Sequence, residues 1–215
     1  MKIKDGLVIS ASRGNRVEIP DCNRGDLPQF FMDIGLTTGV EVGVYKADYT
    51  VRLCQAGLTI FGVDPWEAYP EYYIEDTGEW ETPQARLDAF YEISKKAIEP
   101  YPNCTLIRKK SMDAVKDFAD NSIDFVYIDG HHALPFVILD LWEWSKKVKK
   151  GGIIAGHDYS QTPKGPRDPC ALHVRYAVDA FIRTMYIPKW YLLGSQEKVS
   201  GEKRDRFRSY MWFKP

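Results

Sequence analysis

Three of the four histidines, His131, His132 and His157, stand beside Asp129 and Asp158 in two short clusters. An imidazole titrates near neutrality and can take a proton from a hydroxyl. Carboxylates next to imidazoles either orient the ring or help hold a hard divalent ion such as magnesium or manganese. A second set lies upstream, with Glu41 and Gly43 in V-E-V-G-V and Asp64 in V-D-P-W. A glycine lets backbone approach a ligand closely. A carboxylate at a strand end can accept from both hydroxyls of a ribose. The chemistry on offer is proton removal from a hydroxyl beside a bound nucleoside.

Hydrophobic spacing predicts the elements that position these groups. Ile123 to Ile128 and Gly152 to Ala155 are apolar runs too short for helices, and they fit strands buried on both faces of a parallel sheet. Between them Leu134, Val137, Ile138, Leu141, Trp142 and Val148 follow helical spacing. A strand–helix–strand unit brings Asp129, His131, His132, His157 and Asp158 to one rim, where open α/β sheets place their ligands. Val40 to Val44 and Leu58 to Val63 predict two more strands around a helix from Tyr45 to Ala56.

Elsewhere, Asp26 is expected to cap a helix with Pro28 in its first turn, ending at Gly35. Helices are predicted from Gln84 to Ile98, from a Ser111 cap to Ala119, and from Leu172 to Met185, the last burying Val174, Ala177, Val178, Phe181 and Met185. Thr105 to Arg108 reads as a strand. Trp190 to Leu193 and Arg208 to Phe213 are joined too closely for a helical crossover and should pair antiparallel. Leu7 to Ile9 and Val17 to Ile19 are expected to form a small hairpin or an extended edge. The aromatic, acidic stretch from Trp66 to Pro83 reads either as a lid or binding loop or as a surface excursion with its aromatics packed on the body, and with Lys164 and Arg167 it is expected to line an acceptor pocket.

The chain has 215 residues, enough for one α/β domain with a substantial core. Its net charge is −1 with acids and bases interspersed, which argues against a general nucleic-acid or anionic-membrane binder. Cys22, Cys54, Cys104 and Cys170 are scattered without a C-x-x-C, as expected of reduced thiols in a cytoplasmic protein. The first ten residues carry no long apolar run, so neither a signal peptide nor a membrane span is expected. Lys146, Lys147, Lys149 and Lys150 read as a solvated helix end, where cations are favoured.

The motifs V-E-V-G-V at 40–44, V-D-P-W at 63–66, Y-I-D-G-H-H at 127–132, K-K-G-G-I-I-A-G-H-D-Y at 149–159 and A-V-D-A-F at 177–181 occur in that order. Together they resemble class I S-adenosylmethionine-dependent methyltransferases, in particular the group carrying Y-I-D-G-x-H and G-G-x-I-A-G-H-D-Y. The likeness runs from Leu27 to Phe213. It implies a Rossmann-like, doubly wound, mostly parallel α/β sheet of about seven strands with an antiparallel C-terminal hairpin strand. Residues 26–215 would form the methyltransferase domain and residues 1–25 an N-terminal extension.

By the same resemblance, Glu41, Gly43, Tyr45, Asp64, Pro65, Trp66, Ser111, Met112 and Asp129 would hold S-adenosylmethionine. Asp129, His157 and Asp158 would hold a divalent cation, magnesium or manganese. His132 would be the base, acting with Asp129 and Asp158 on a hydroxyl of a small-molecule or carbohydrate acceptor. His131 and His173 are expected to be structural, with His173 otherwise at the substrate rim. Of the family's glycine-rich turn only Gly43 remains, with Tyr45 and Ala47 at later positions and Lys150 where a proline often stands.

Three other classes compete. A nicotinamide-dependent oxidoreductase would share the strand, turn and acid, but Tyr45 and Asp48 break the G-x-G-x-x-G pattern. An amino-methylating nucleic-acid enzyme would show a Pro-Pro-Tyr/Phe tetrad where Asp129-Gly130-His131-His132 stands. A binding protein that keeps the fold without turnover would bind the cofactor and methylate nothing.

Overall fold

Apolar runs that alternate between two faces build a sheet covered on both sides. The computed structural model describes residues 2–9, 16–67, 84–162, 172–197 and 200–215. Its elements are α1 (Lys2–Ile9), β1 (Arg16–Ile19), α2 (Leu27–Asp33), β2 (Thr38–Val42), α3 (Asp48–Gln55), β3 (Thr59–Val63), α4 (Gln84–Ile98) and β4 (Cys104–Ile107), then α5 (Ser111–Ala114), β5 (Ile123–Ile128), α6 (Leu134–Lys147), β6 (Val148–Gly156), α7 (Val174–Thr184), β7 (Trp190–Leu193) and β8 (Tyr210–Phe213). The strand order is β1-β7-β8-β6-β5-β2-β3-β4. Every pair is parallel except β6 with β8 and β7 with β8, so the expected antiparallel hairpin strand is present.

Period-two alternation assigns the strand residues to the two cores. Val126 and Ile128 of β5 join Val137, Leu141 and Trp144 of α6 and Ala177, Val178 and Phe181 of α7 on one face. Phe125 and Tyr127 join Leu27, Phe30 and Phe31 of α2 and Tyr49 and Leu53 of α3 on the other.

Several boundaries differ from the sequence reading. The sheet has eight strands rather than about seven, because Arg16–Ile19 pairs in parallel with β7. Leu7 to Ile9 is not extended but ends α1, so there is no N-terminal hairpin with Val17 to Ile19. Helix α3 starts at Asp48 rather than Tyr45, since Tyr45 and Ala47 take left-handed φ values of 56° and 65° that a right-handed helix does not admit. The helix from Ser111 stops at Ala114 and passes into a 3-10 turn, and Lys110 occupies its N-cap. Met185 lies outside α7 and is exposed. Asp26 stands at the N-cap of α2 but does not cap it with its side chain. It closes a capping box with Asn23 one turn earlier. The lysines after α6 find local acids, Lys146 with Glu143, Lys147 with Asp120 and Lys149 with Asp124. Cys22, Cys54 and Cys104 are free thiols, while Cys170, Lys164, Arg167 and residues 68–83 lie outside the described residues. Among the described residues no helix is long and apolar enough to cross a membrane.

The end of the sheet opposite the site is tied by Asp124 near the start of β5. It accepts from the backbone N–H groups of Thr37 and Thr38, from the Thr37 hydroxyl and from Lys149 Nζ. Burial would raise its carboxyl, but these bonds hold it down at about 2. That depression is worth about 2–3 kcal/mol, present above the unfolded value of about 3.9 and lost as pH falls through about 2. Asp124→Asn is expected to lower stability at pH 7 by about 2–3 kcal/mol, with the gap to the native protein closing below about pH 3. Urea unfolding as a function of pH measures it, and a gap that persists into acid would contradict it.

Candidate active site

Lateral register builds the site. Val42 pairs with Val63 and with Ile128, and Ile128 pairs with Gly156. The residues that follow these strand ends, Gly43, Asp64, Asp129 and His157, therefore stand in one row along the carboxyl rim. Two backbone bonds continue the ladder past the strands, Asp129 N–H to Val42 C=O at 2.7 Å and His157 N–H to Ile128 C=O at 3.0 Å.

Gly43 has φ +94°, and a Cβ there would lie 2.2 Å from the carbonyl oxygen of Asp129. The glycine is thus required by the close approach of the β2 and β5 ends. Asp64 clamps the same turn. It accepts from Val44 N–H and Tyr45 N–H at 3.0 Å and from Trp66 N–H at 2.8 Å. A carboxylate has about four acceptor positions, so capacity for about one more donor remains. Trp66 is 1% exposed, and its indole donates to the Tyr45 carbonyl from within a cluster of Val44, Ala47 and Phe90. It supports the turn from behind. Tyr45 is 54% exposed, with its ring edge-on to Phe90. Glu41 is buried beneath the turn and accepts from the Thr50 hydroxyl, and burial pushes its carboxyl well above the usual range. Pro65 and Met112 are half-buried. Ser111 faces inward, donating to Asp140 and accepting from the Trp144 indole N–H. Burial pushes Asp140 up to about 7.

The histidines and acids converge. His132 Nε2 lies 2.9 Å from Asp158 Oδ2, and His157 Nδ1 lies 3.1 Å from Asp158 Oδ1 and 3.8 Å from Asp129 Oδ1. Asp158 takes a left-handed φ of 53°, which turns its carboxylate between the two rings. Burial would raise Asp158, but its bonds from His132 and His157 hold it well below the usual carboxylate range. Burial works against charging His132, yet the Asp158 bond raises it overall. The same contest pushes His157 up to about 9, with Asp158 and Asp205 outweighing burial. Asp129 is pushed up to about 6 by burial, against the pull of His157.

Asp129, His132 and Asp158 each offer a ligand atom, all within 4.8 Å of one another. Two carboxylates and an imidazole suit magnesium or manganese with waters completing the shell. The imidazole in this group is His132, whereas the sequence reading had assigned His157. His131 is turned away, with Nδ1 accepting from Ala133 N–H. His173 is buried and braces the segment, its N–H donating to the His132 carbonyl and its Nδ1 accepting from Leu134 N–H.

Two further side chains reach the cluster from remote segments. Arg24 Nη1 donates to Asp129 Oδ2 at 3.1 Å, and Asp205 Oδ2 lies 3.7 Å from His157 Nε2. Neither had a sequence signal, since Arg24 sits in a short polar turn and Asp205 in the charged β7–β8 connection.

An eight-stranded sheet of this order with an antiparallel β8, and acids at the ends of β2, β3 and β5, defines the class I S-adenosylmethionine-dependent methyltransferase fold. The chain belongs to the methyltransferase-domain family, whose model matches residues 40–159. No curated protein matches the chain. Among solved structures it resembles the O-methyltransferase from Bacillus cereus in complex with SAH, at 15% identity and TM-score 0.58 over 89% of this chain and 80% of that one. It also resembles the O-methyltransferase TomG from Streptomyces achromogenes, involved in tomaymycin synthesis and solved with SAM, at 10% identity and TM-score 0.59 over 89% and 80%. An rRNA methylase from Streptococcus thermophilus matches at 11% identity and TM-score 0.55 over 87% and 94%. At these identities the likeness is one of fold.

Proposed function

We propose that the protein is an S-adenosylmethionine-dependent O-methyltransferase acting on a hydroxyl of a small molecule or sugar. The observation that carries this reading is the His132–Asp158 pair, 2.9 Å apart, beside Asp129 on the rim that also holds Gly43 and Asp64. The Gly43 turn and Asp64 would seat the nucleoside, and Asp129 would face the methionine end of the donor. We take residues 26–215 as the catalytic unit, with the preceding segment joined to it through β1.

Asp158 fixes the His132 ring so that one nitrogen faces the acceptor. His132 takes the hydroxyl proton, the oxygen–carbon bond forms as the carbon–sulfur bond breaks, and the electron pair stays on sulfur. The remaining work is alignment of oxygen, methyl and sulfur. A divalent cation held by Asp129, His132 and Asp158 is the competing arrangement. It would lower the acceptor hydroxyl's pKa, but it would take His132 out of the base's role.

Calorimetry with S-adenosylhomocysteine, with and without magnesium, tests the reading. Binding in the micromolar range is expected, at about −8 kcal/mol, with no binding of NADH. Failure to bind in either condition would remove the reading. Binding with no methylation across a broad hydroxyl panel would favour a silent binding protein.

A further inference from the structure

Arg24 and Asp205 are not loose surface charges. The polar turn before α2 and the β7–β8 connection are lashed together over the rim. Asp21 N–H donates to Glu202 Oε1, Lys203 N–H to Asp21 Oδ1, Lys203 Nζ to Asp26 Oδ1 and Arg24 N–H to Asp205 Oδ2, all at 2.6–3.0 Å. The Arg24 carbonyl accepts from the Tyr49 hydroxyl at 3.1 Å, and its guanidinium lies 5.4 Å from the Tyr49 ring centroid. Arg24 is therefore held through backbone and side chain in one position, so little rotamer entropy remains to be lost on binding.

Each of the two side chains keeps unused capacity. The Arg24 side chain is 36% exposed and makes one hydrogen bond among the described residues, to Asp129. A guanidinium offers five donors in a planar fork. Asp205 uses Oδ2 on Arg24 N–H, and no hydrogen bond reaches Oδ1 among the described residues. A donor fork and a carboxylate acceptor thus stand beside Asp129 and His157 respectively, in the cluster that also holds His132 through Asp158. A hydroxyl both donates and accepts, so it satisfies such a pair, whereas a carboxylate or phosphate satisfies only the arginine. Asp129, Asp158 and Asp205 all lie within 3.8 Å of His157, and an anionic acceptor there would face all three.

We infer that Arg24 and Asp205 form the acceptor-recognition pair of this site and select a neutral polyhydroxylated acceptor. They grip a hydroxyl adjacent to the one that faces His132. This rests on the methyltransferase reading above and narrows its acceptor class from hydroxyl compounds to uncharged vicinal diols.

The test uses the full chain with S-adenosylhomocysteine bound. Methyl glycosides of neutral hexoses and 6-deoxyhexoses, their monodeoxy analogues, a uronic acid and a hexose phosphate are screened by saturation-transfer NMR, and turnover is followed as S-adenosylhomocysteine release. Neutral vicinal diols are expected to bind and be methylated. Deoxy analogues should fall at least tenfold in kcat/KM, and the acidic sugars should not bind. Asp205→Asn and Arg24→Gln should each raise KM at least tenfold with kcat changed less than threefold, and Asp205→Asn should leave S-adenosylhomocysteine affinity unchanged. Preference for the acidic sugars, binding of no neutral diol, or an unchanged KM in both variants would overturn the inference while leaving the methyltransferase reading intact. Loss of S-adenosylhomocysteine binding by the native protein would remove the methyltransferase reading, and this inference with it.

Discussion

Alanine at position 43 is expected to cost about 2–5 kcal/mol of stability and to abolish measurable S-adenosylhomocysteine binding. Two penalties add. A left-handed φ of +94° costs an L-residue about 1–2 kcal/mol. The new methyl would lie 2.2 Å from the Asp129 carbonyl oxygen and 2.5 Å from its carbon, both backbone atoms. Relief requires the ends of β2 and β5 to part, at an overpacking cost of about 1–3 kcal/mol. Parting them strains the Asp129 N–H bond to Val42 and displaces Asp129 from the rim. For a domain of this size the melting temperature should fall by about 10 °C. Gly35→Ala is the control. Gly35 has φ +82° with nothing within 4 Å of its missing Cβ, so only the conformational penalty applies. A Gly43→Ala variant no less stable than Gly35→Ala, with cofactor affinity intact, would refute the argument.

Local and tertiary determinants of this fold differ in how legible they are in the sequence. The β5–α6–β6 unit was legible because its signals are local. Six consecutive buried residues, Ile123 to Ile128, admit few alternatives to a central strand, and α6 follows its spacing. Once those strands are parallel, the convergence of Asp129, His132 and Asp158 follows from topology. The turn after β2 was not legible. Tyr45 and Ala47 adopt the left-handed conformation without being glycine, and Asp64 and the Trp66 indole hold Tyr45 there. Tertiary bonds therefore impose a backbone that composition does not announce. Ser111 illustrates the same limit. Its type suits a cap or an adenine contact, and the neighbouring Asp140 and Trp144 decide otherwise. Arg24 and Asp205 join the site across very long sequence separations, through contacts with no local pattern to read.

His132→Ala should lower kcat by about 10²–10⁴, the usual worth of a positioned general base, while S-adenosylhomocysteine affinity stays within about threefold. The split is expected because His132 pairs with Asp158, whereas Asp64 binds the turn after Gly43. Asp158→Asn should cost nearly as much. An amide cannot stabilise the imidazolium as the carboxylate does, and it presents an N–H where His132 or His157 now finds an acceptor. The decisive measurement is the double variant. Groups that act as one unit lose their function once, so His132→Ala/Asp158→Asn should be no slower than the worse single variant within about threefold. Multiplied losses would mean that Asp158 works independently of the ring, as a cation ligand would. Calorimetric titration of manganese into the His132→Ala protein then separates the roles, because a base leaves metal affinity unchanged while a lost ligand weakens it by about tenfold or more.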